Sequence, residues 1–378
     1  MRRAYLDHAS TSPLRPVAFE AMLPFLRDHH ADPGRLHAEG RVTRVALEDA
    51  REQVAALLGS RPREVVFTAS GTEAVNTAVW GAVARADAPA HIVTTGVEHS
   101  AVLDACRRSG AEVSVVGVDG LGRYDPTKVL DAVRPETALV TVQLANHEVG
   151  TIQPAGAVVA ACRERGVLVH VDACMAAGHV PVDFGALGTD LCSVSAHKFG
   201  GPKGAGALLV RRGLRLPPFV VGGAQERARR GGLEDVPAMV GFGAAAAEVS
   251  ADGRLAAEAG AQRELTDRVA HDAPARVGGV TLYGDPADRV PHLVCLGVEG
   301  VEAEPILLGL DQRGVAVHSG SACSSEALEP SPILAAMGVD ADHSLRVSVG
   351  WSSTPEDIDA FLDGFPAVVD RLRALRAG

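Results

Sequence analysis

The sequence predicts an α/β protein in which a three-layer large domain, built on a mainly parallel sheet, joins a smaller α+β domain. Two observations carry this expectation. Between Val65 and Val210, seven short runs rich in β-branched residues alternate with stretches of helical apolar spacing. Beyond Pro237 the pattern changes to an alanine-rich helical stretch, followed by fewer strands and interspersed helices. Parallel neighbours need crossover connections, so the first pattern implies helices packed on both faces of one sheet.

Taken in order, the segment 36–58 has apolar residues near helical spacing, and Gly59 stands where a helix stops. The buried strands expected next are 64–68, 91–95, 112–116, 138–142, 167–171, 191–194 and 207–210. After Pro237 one long helix is expected to run to about residue 270 and to bridge the two domains. The last third predicts strands near 279–283, 292–296, 315–317 and 345–349, with helices near 302–313, 331–337 and 355–376. A chain of 378 residues exceeds one ordinary domain of about 100–200 residues. The expected division is 15–251 for the large domain and 1–14 with 252–378 for the small one.

Composition excludes several classes of partner. The net charge is −11, and the basic pairs Arg211-Arg212 and Arg229-Arg230 are too short for a nucleic-acid track. Small ligands are the expected partners, with no nucleic acid and no membrane. The six cysteines, at 106, 162, 174, 192, 295 and 323, show no Cys-x-x-Cys or Cys/His ligand spacing. Neither a disulfide framework nor a metal site is therefore expected, which suits a reducing cytoplasm. Asp7 and His8 interrupt the stretch a secretory leader would need, and no segment is apolar for long enough to span a bilayer.

The chemistry concentrates at Asp172 and Lys198. Asp172 ends the apolar run Val167-Leu168-Val169-His170-Val171, and Lys198 follows 26 residues later in the turn Ser195-Ala196-His197-Lys198-Phe199-Gly200-Gly201. An acid at a strand end can keep a pyridine nitrogen protonated while a lysine binds the aldehyde of the same cofactor, which is what pyridoxal 5'-phosphate requires. Each residue has a plainer reading, as a helix cap at Asp172 and a surface lysine at Lys198. Thr68-Ala69-Ser70-Gly71-Thr72-Glu73 lies between a strand and a helix, so Gly71 and Thr72 suit either a phosphate cradle or ordinary capping. Ser195 and His197 are further phosphate candidates. Gly201 to Gly206 precedes a strand and is no dinucleotide fingerprint.

His99 follows a strand and starts a helix, at the rim where open α/β sheets bind ligands. It reads either as a ring stacked on a cofactor and exchanging protons, or as a cap. Arg346, on an expected strand, suits a substrate carboxylate or a structural ion pair. Cys323 stands among Ser319, Gly320, Ser321, Ser324 and Ser325, a polar loop unlike the apolar settings of Cys106, Cys162, Cys192 and Cys295. Those four read as core thiols, whereas a thiolate at 323 can attack a sulfur atom.

Taken jointly, these motifs resemble the cysteine desulfurases, fold-type I pyridoxal-phosphate enzymes of the class V aminotransferase group. The similarity runs from Tyr5-Leu6-Asp7-His8-Ala9-Ser10-Thr11 through Gly71-Thr72-Glu73, Glu98-His99, Glu148-Val149-Gly150, His170-Val171-Asp172-Ala173 and His197-Lys198. It continues in Gly222-Gly223-Ala224-Gln225-Glu226-Arg227 and ends in Ser319 to Cys323. The resemblance implies that Lys198 anchors the cofactor, Asp172 pairs with its ring nitrogen and His99 stacks on it. It further implies that Thr72, Ser195 and His197 bind phosphate, Arg346 binds the substrate carboxylate, and Cys323 carries a persulfide. L-cysteine, a sulfur-acceptor protein and a second copy of the chain would be the partners.

Four positions depart from the family pattern. Asp32 stands for an asparagine near the substrate carboxylate, and His147 replaces another asparagine. Met175 replaces a glutamine that bonds the cofactor phenolate oxygen, and Leu233 a threonine lent to the partner subunit's phosphate. A hydrogen bond lost without replacement weakens affinity by about 0.5–1.5 kcal/mol. His147 can make good one such loss, but Met175 and Leu233 cannot. Three functions stay open at this level: a cysteine desulfurase, a pyridoxal-phosphate enzyme for another amino acid, and a non-enzymatic sulfur-relay scaffold.

Overall fold

The computed structural model describes residues 3–86, 89–319 and 331–377. Cys323 and its neighbours from 320 to 330 lie outside the described residues. The chain opens with the short strand β1 (Ala4–Tyr5) and then builds a seven-stranded sheet. Its strands are β2 (Val65–Thr68), β3 (His91–Thr95), β4 (Glu112–Val116), β5 (Thr137–Gln143), β6 (Leu168–Asp172), β7 (Leu191–Ser195) and β8 (Gly206–Val210). Their spatial order is β2-β8-β7-β6-β5-β3-β4. The pairs from β4 through β7 are parallel, and β8 runs antiparallel to both β2 and β7.

Alternation along the strands makes the three layers. Val65 and Phe67 of β2, Cys192 and Val194 of β7 and Leu209 of β8 pack on one face against Ala50 and Val54 of the helix Ala38–Leu57 and Phe242 of the helix Val236–Ser250. Val66, Leu191 and Leu208 point to the other face, toward Ala74 and Ala78 of the helix Gly71–Arg85. Successive side chains leave a strand on opposite sides and both faces are covered, so apolar residues occur on both sides of β2, β7 and β8.

The C-terminal unit has its own sheet, ordered β12-β13-β10-β9, from β9 (Val280–Tyr283), β10 (Leu293–Val298), β12 (His318–Ser319) and β13 (Ser344–Ser348). The strand β11 (Val315–Ala316) instead pairs in parallel with β1. The expected strand at 315–317 is thus two short strands serving two sheets. A separate core joins Ala4 and Leu6 to residues between Leu265 and Val369.

The long helix expected after Pro237 is two helices, Val236–Ser250 and Arg254–Arg276. Ala251 turns extended and Gly253 adopts φ 72°, so the helical hydrogen-bond ladder stops between them. Arg254 secures the corner by bonding Glu248 at 2.9 Å and Glu258 at 2.8 Å. The helix Pro16–Arg27 has no counterpart in the sequence reading, because its apolar residues Phe19, Leu23 and Leu26 face outward rather than into a core.

Candidate active site

The C-terminal ends of β2, β5, β6 and β7 share one edge of the large sheet, and a cavity of about 180 Å³ opens there. Asp172 and Ser195 reach it from strand ends, Gly71 and Thr72 from a helix start. His99, His147, Met175, His197 and Lys198 line it from the intervening turns. All nine residues expected at the cofactor therefore converge. Gln143, next to Asp172 in the β5–β6 register, also lines the cavity, as does Cys174. Sequence reading passed over both; a polar residue ending a buried strand was the signal for Gln143.

Asp172 is buried, and its Oδ1 accepts from the Ser193 hydroxyl at 2.7 Å and the Cys174 N–H at 3.1 Å. Burial raises its pKa, but the nearby His170 and these hydrogen bonds outweigh that and hold the carboxyl below its ordinary value. Ser193 spends its proton on Asp172, so its oxygen accepts from His170 Nε2 at 3.1 Å, while His170 Nδ1 accepts from Thr141 at 2.8 Å. Burial pushes His170 down to about 4, so the relay is neutral and Asp172 bears its negative charge. No α-helix begins at Ala173; the aspartate caps only the turn at Cys174.

The opposite end of the cavity suits an anion. Ser70 caps the helix Gly71–Arg85 by accepting from Glu73 N at 3.1 Å, so capping and an exposed N-terminal turn coexist. A Cβ at Gly71 would lie 2.6 Å from Cys174 Sγ and 3.2 Å from Ser195 Cβ. Only glycine leaves that cradle open. Ser195 Oγ and His197 Nδ1 are 2.9 Å apart beside it. Burial, with Lys198 and Lys203 nearby, pushes His197 down to about 4.

Lys198 Nζ donates to the carbonyls of Ala9 at 2.6 Å and Ser10 at 3.1 Å. These acceptors pull the amine toward the N-terminal segment. His99 caps the helix Ser100–Arg108 through Nδ1, which accepts from Ala101 N at 3.0 Å, so its ring proton sits on Nε2. The His99 and His147 rings lie 4.8 Å apart. A buried carboxylate, an amine lining the same cavity and a glycine cradle fit the ring nitrogen, the aldehyde and the phosphate of pyridoxal phosphate.

Arg346 is 1% exposed and lies behind His147, outside the cavity lining. Its guanidinium bonds Asp7 Oδ1 and the His147 carbonyl, each at 2.9 Å, which is an ion pair; Nε has no partner among the described residues. Asp32 also lies outside the lining, accepting from Gly34 N at 2.7 Å and pairing with Arg35 at 3.0 Å. Leu233 is 62% exposed. The loop before it holds Glu226, Arg227 and Ala228 at positive φ, with Glu226 clamped by the buried Arg51 at 2.6 Å. Arg230 on that loop bonds Glu73 at 2.9 Å, beside the cradle. Cys106, Cys162, Cys192 and Cys295 are buried and free. Arg211, Arg212 and Arg229 share one cleft at the far end of β2 and β8, interleaved with Glu48, Glu52 and Glu64.

No helix among the described residues is long and apolar enough to cross a membrane. A family model described as aminotransferase class-V matches residues 4–361. A cysteine desulfurase (IscS) of Dictyoglomus turgidum is 40% identical, with 99% of this chain and 96% of that protein covered. A cysteine desulfurase of Cereibacter sphaeroides is 41% identical over 99% of this chain and 98% of its own length. Among solved structures, a NifS-like protein superposes with a TM-score of 0.91 at 30% identity, covering 98% of this chain and all of the other. The chain belongs to the class-V aminotransferase family, among its cysteine desulfurases.

Proposed function

We propose that the protein is a pyridoxal-phosphate-dependent L-cysteine desulfurase that yields alanine and a persulfide on Cys323 for transfer to an acceptor protein. The observation that carries this is the meeting of Lys198, Asp172 and a glycine-lined anion cradle in one cavity. When bound, pyridoxal phosphate would supply an electron sink for the substrate Cα. Gly71, Thr72, Ser195 and His197 would hold its phosphate, and the Asp172 charge its ring nitrogen.

The remaining chemistry falls to the chain. Lys198 would anchor the cofactor and, once released, take the proton from the substrate Cα. The Cys323 thiolate would attack the substrate sulfur. Lys198 would return the proton it took to Cα, and as the Cβ–S bond breaks and the S–S bond forms, Cβ would take a proton, giving alanine. His99 Nε2–H is the donor proposed for that proton on Cβ. Arg346, whose Nε has no partner among the described residues, would orient the substrate carboxylate on giving up part of its pairing with Asp7.

Residues Phe19, Leu23 and Leu26 recur at i, i+4 and i+7 on an exposed helix face, and Val42 and Val45 add a second such face. Uncovered apolar stripes of this kind support a homodimer, with Leu233 at its edge. Free thiols and the relatives named above suit the cytoplasm. Mass spectrometry after incubation with L-cysteine should find one added sulfur on Cys323. The Cys323→Ala variant should keep the cofactor's visible band and lose sulfur release. Unchanged sulfur release by that variant would overturn the assignment, as would a visible band that survives in Lys198→Ala.

A further inference from the structure

Behind the cavity, where the C-terminal unit meets the large sheet, two fully buried histidines lie face to face. His179 and His292 have ring centroids 3.5 Å apart and planes inclined by 15°. His292 Nε2 lies 3.1 Å from Met175 Sδ, and its Nδ1 has no partner among the described residues. A thioether can only accept, so the imidazole proton sits on Nε2 and is committed to Met175. His179 Nε2 lies 3.1 Å from the Lys198 carbonyl, which likewise only accepts. His179 Nδ1 must then accept. Its neighbour at 3.1 Å, the Gln262 amide, is a partner only when turned to present its NH2 group.

Each ring therefore spends its single proton on a residue of the cavity wall. Gln262 belongs to the helix Arg254–Arg276 and His292 leads into β10, both in the C-terminal unit. Met175 and Lys198 belong to the turns that follow β6 and β7 of the large sheet. Burial keeps both imidazoles neutral, with pKa values below the ordinary histidine range. Neutral rings stack at this distance without a buried charge to offset.

We propose that His179 and His292 are positioning residues, the stacked pair that sets the Met175 thioether and the Lys198 turn against the C-terminal unit. This rests on the reading of the cavity as a pyridoxal-phosphate site. His292 acts through Met175, and His179 through the Lys198 backbone. Neither touches substrate or cofactor.

The test compares His292→Leu, which removes the donor, with His292→Gln, whose amide N–H can take the place of Nε2–H. Pyridoxal phosphate affinity should fall about two- to tenfold in His292→Leu, the range of one ordinary hydrogen bond, and recover in His292→Gln. In a Met175→Leu background, His292→Leu should change nothing further. Equal losses in both backgrounds would make the role merely structural and overturn the proposal. Should His292→Leu fail to fold, Met175→Leu alone gives the reading, since it should lose affinity by the same factor.

A second readout needs no cofactor. In protein labelled with methyl-13C methionine, the Met175 resonance should move in His292→Leu and return in His292→Gln. An unmoved resonance would overturn the inference. A protein that binds no pyridoxal phosphate, yet shows the resonance shift, would instead sink the functional reading and leave the histidine pair standing.

Discussion

Replacing Glu226 by glutamine should be among the more damaging single changes away from the cavity. The carboxylate is buried and accepts from Arg51 Nη1 at 2.6 Å, Arg51 Nη2 at 2.7 Å and Phe67 N at 2.9 Å. Arg51 is itself buried, with its guanidinium carbon 4.6 Å from the Phe67 ring centre. Removing one charge of such a pair costs about 3–5 kcal/mol, because the survivor stays desolvated. Glu48 remains 3.3 Å from Arg51 Nε and compensates part of the charge, so the low end, about 3 kcal/mol, is expected. Urea unfolding followed by tryptophan fluorescence measures it. Arg51→Met should cost a similar amount, whereas the Arg51→Met/Glu226→Gln double variant should cost less than either single change. A loss below about 1 kcal/mol in Glu226→Gln, or a double variant as costly as the sum of the singles, would refute the argument.

The other expectations are narrower. Ala228 holds φ 61°, so Ala228→Gly should stabilise the fold by about 0.5–1 kcal/mol in the same unfolding assay. Gly71→Ala should cost about 1–3 kcal/mol and weaken cofactor binding, and Cys174→Ala, which removes the nearest obstructing atom, should restore most of both. Burial raises the Glu98 pKa to about 8, so the folded protein keeps a proton that the unfolded chain releases near 4.5. Stability contributed by that proton is present at low pH and drains away as pH rises toward 8. Glu98→Gln should therefore gain on the parent by about 1.4 kcal/mol per pH unit across that window, read from urea midpoints at several pH values. A pH-independent difference would show that Glu98 is ionised.

The large sheet was legible because its strands are short runs rich in β-branched and other apolar residues, as in Val65-Val66-Phe67 and Ala207-Leu208-Leu209-Val210, and that signal survives without knowledge of the tertiary fold. The cavity residues were legible for a related reason. Asp172, Ser195 and Gly71 sit where strands end or helices begin, positions that periodicity itself marks. Contacts made between distant parts of the chain left no such mark. Nothing local joins Asp7 to Arg346, His179 to His292 or Arg51 to Glu226. The corner at Ala251–Gly253 was hidden by alanine-rich sequence on both sides, where one short break barely disturbs the helical signal. The outward-facing Phe19, Leu23 and Leu26 carried helical spacing without a core to receive it. The pair Arg211-Arg212 and Arg229 looked isolated because their meeting depends on β2 and β8 lying side by side.

The N-terminal thread has a consequence for biosynthesis. Ala4 and Tyr5 pair with Val315 and Ala316, Asp7 with Arg346, and the carbonyls of Ala9 and Ser10 hold the Lys198 amine. At about 5–20 residues per second, a ribosome needs on the order of half a minute between making the first of these residues and making the partners of β1. Until then the nascent chain carries the lysine without its fixed carbonyl clamp. Vitamin capture should accordingly be a late event, following release of the finished polypeptide rather than accompanying its synthesis.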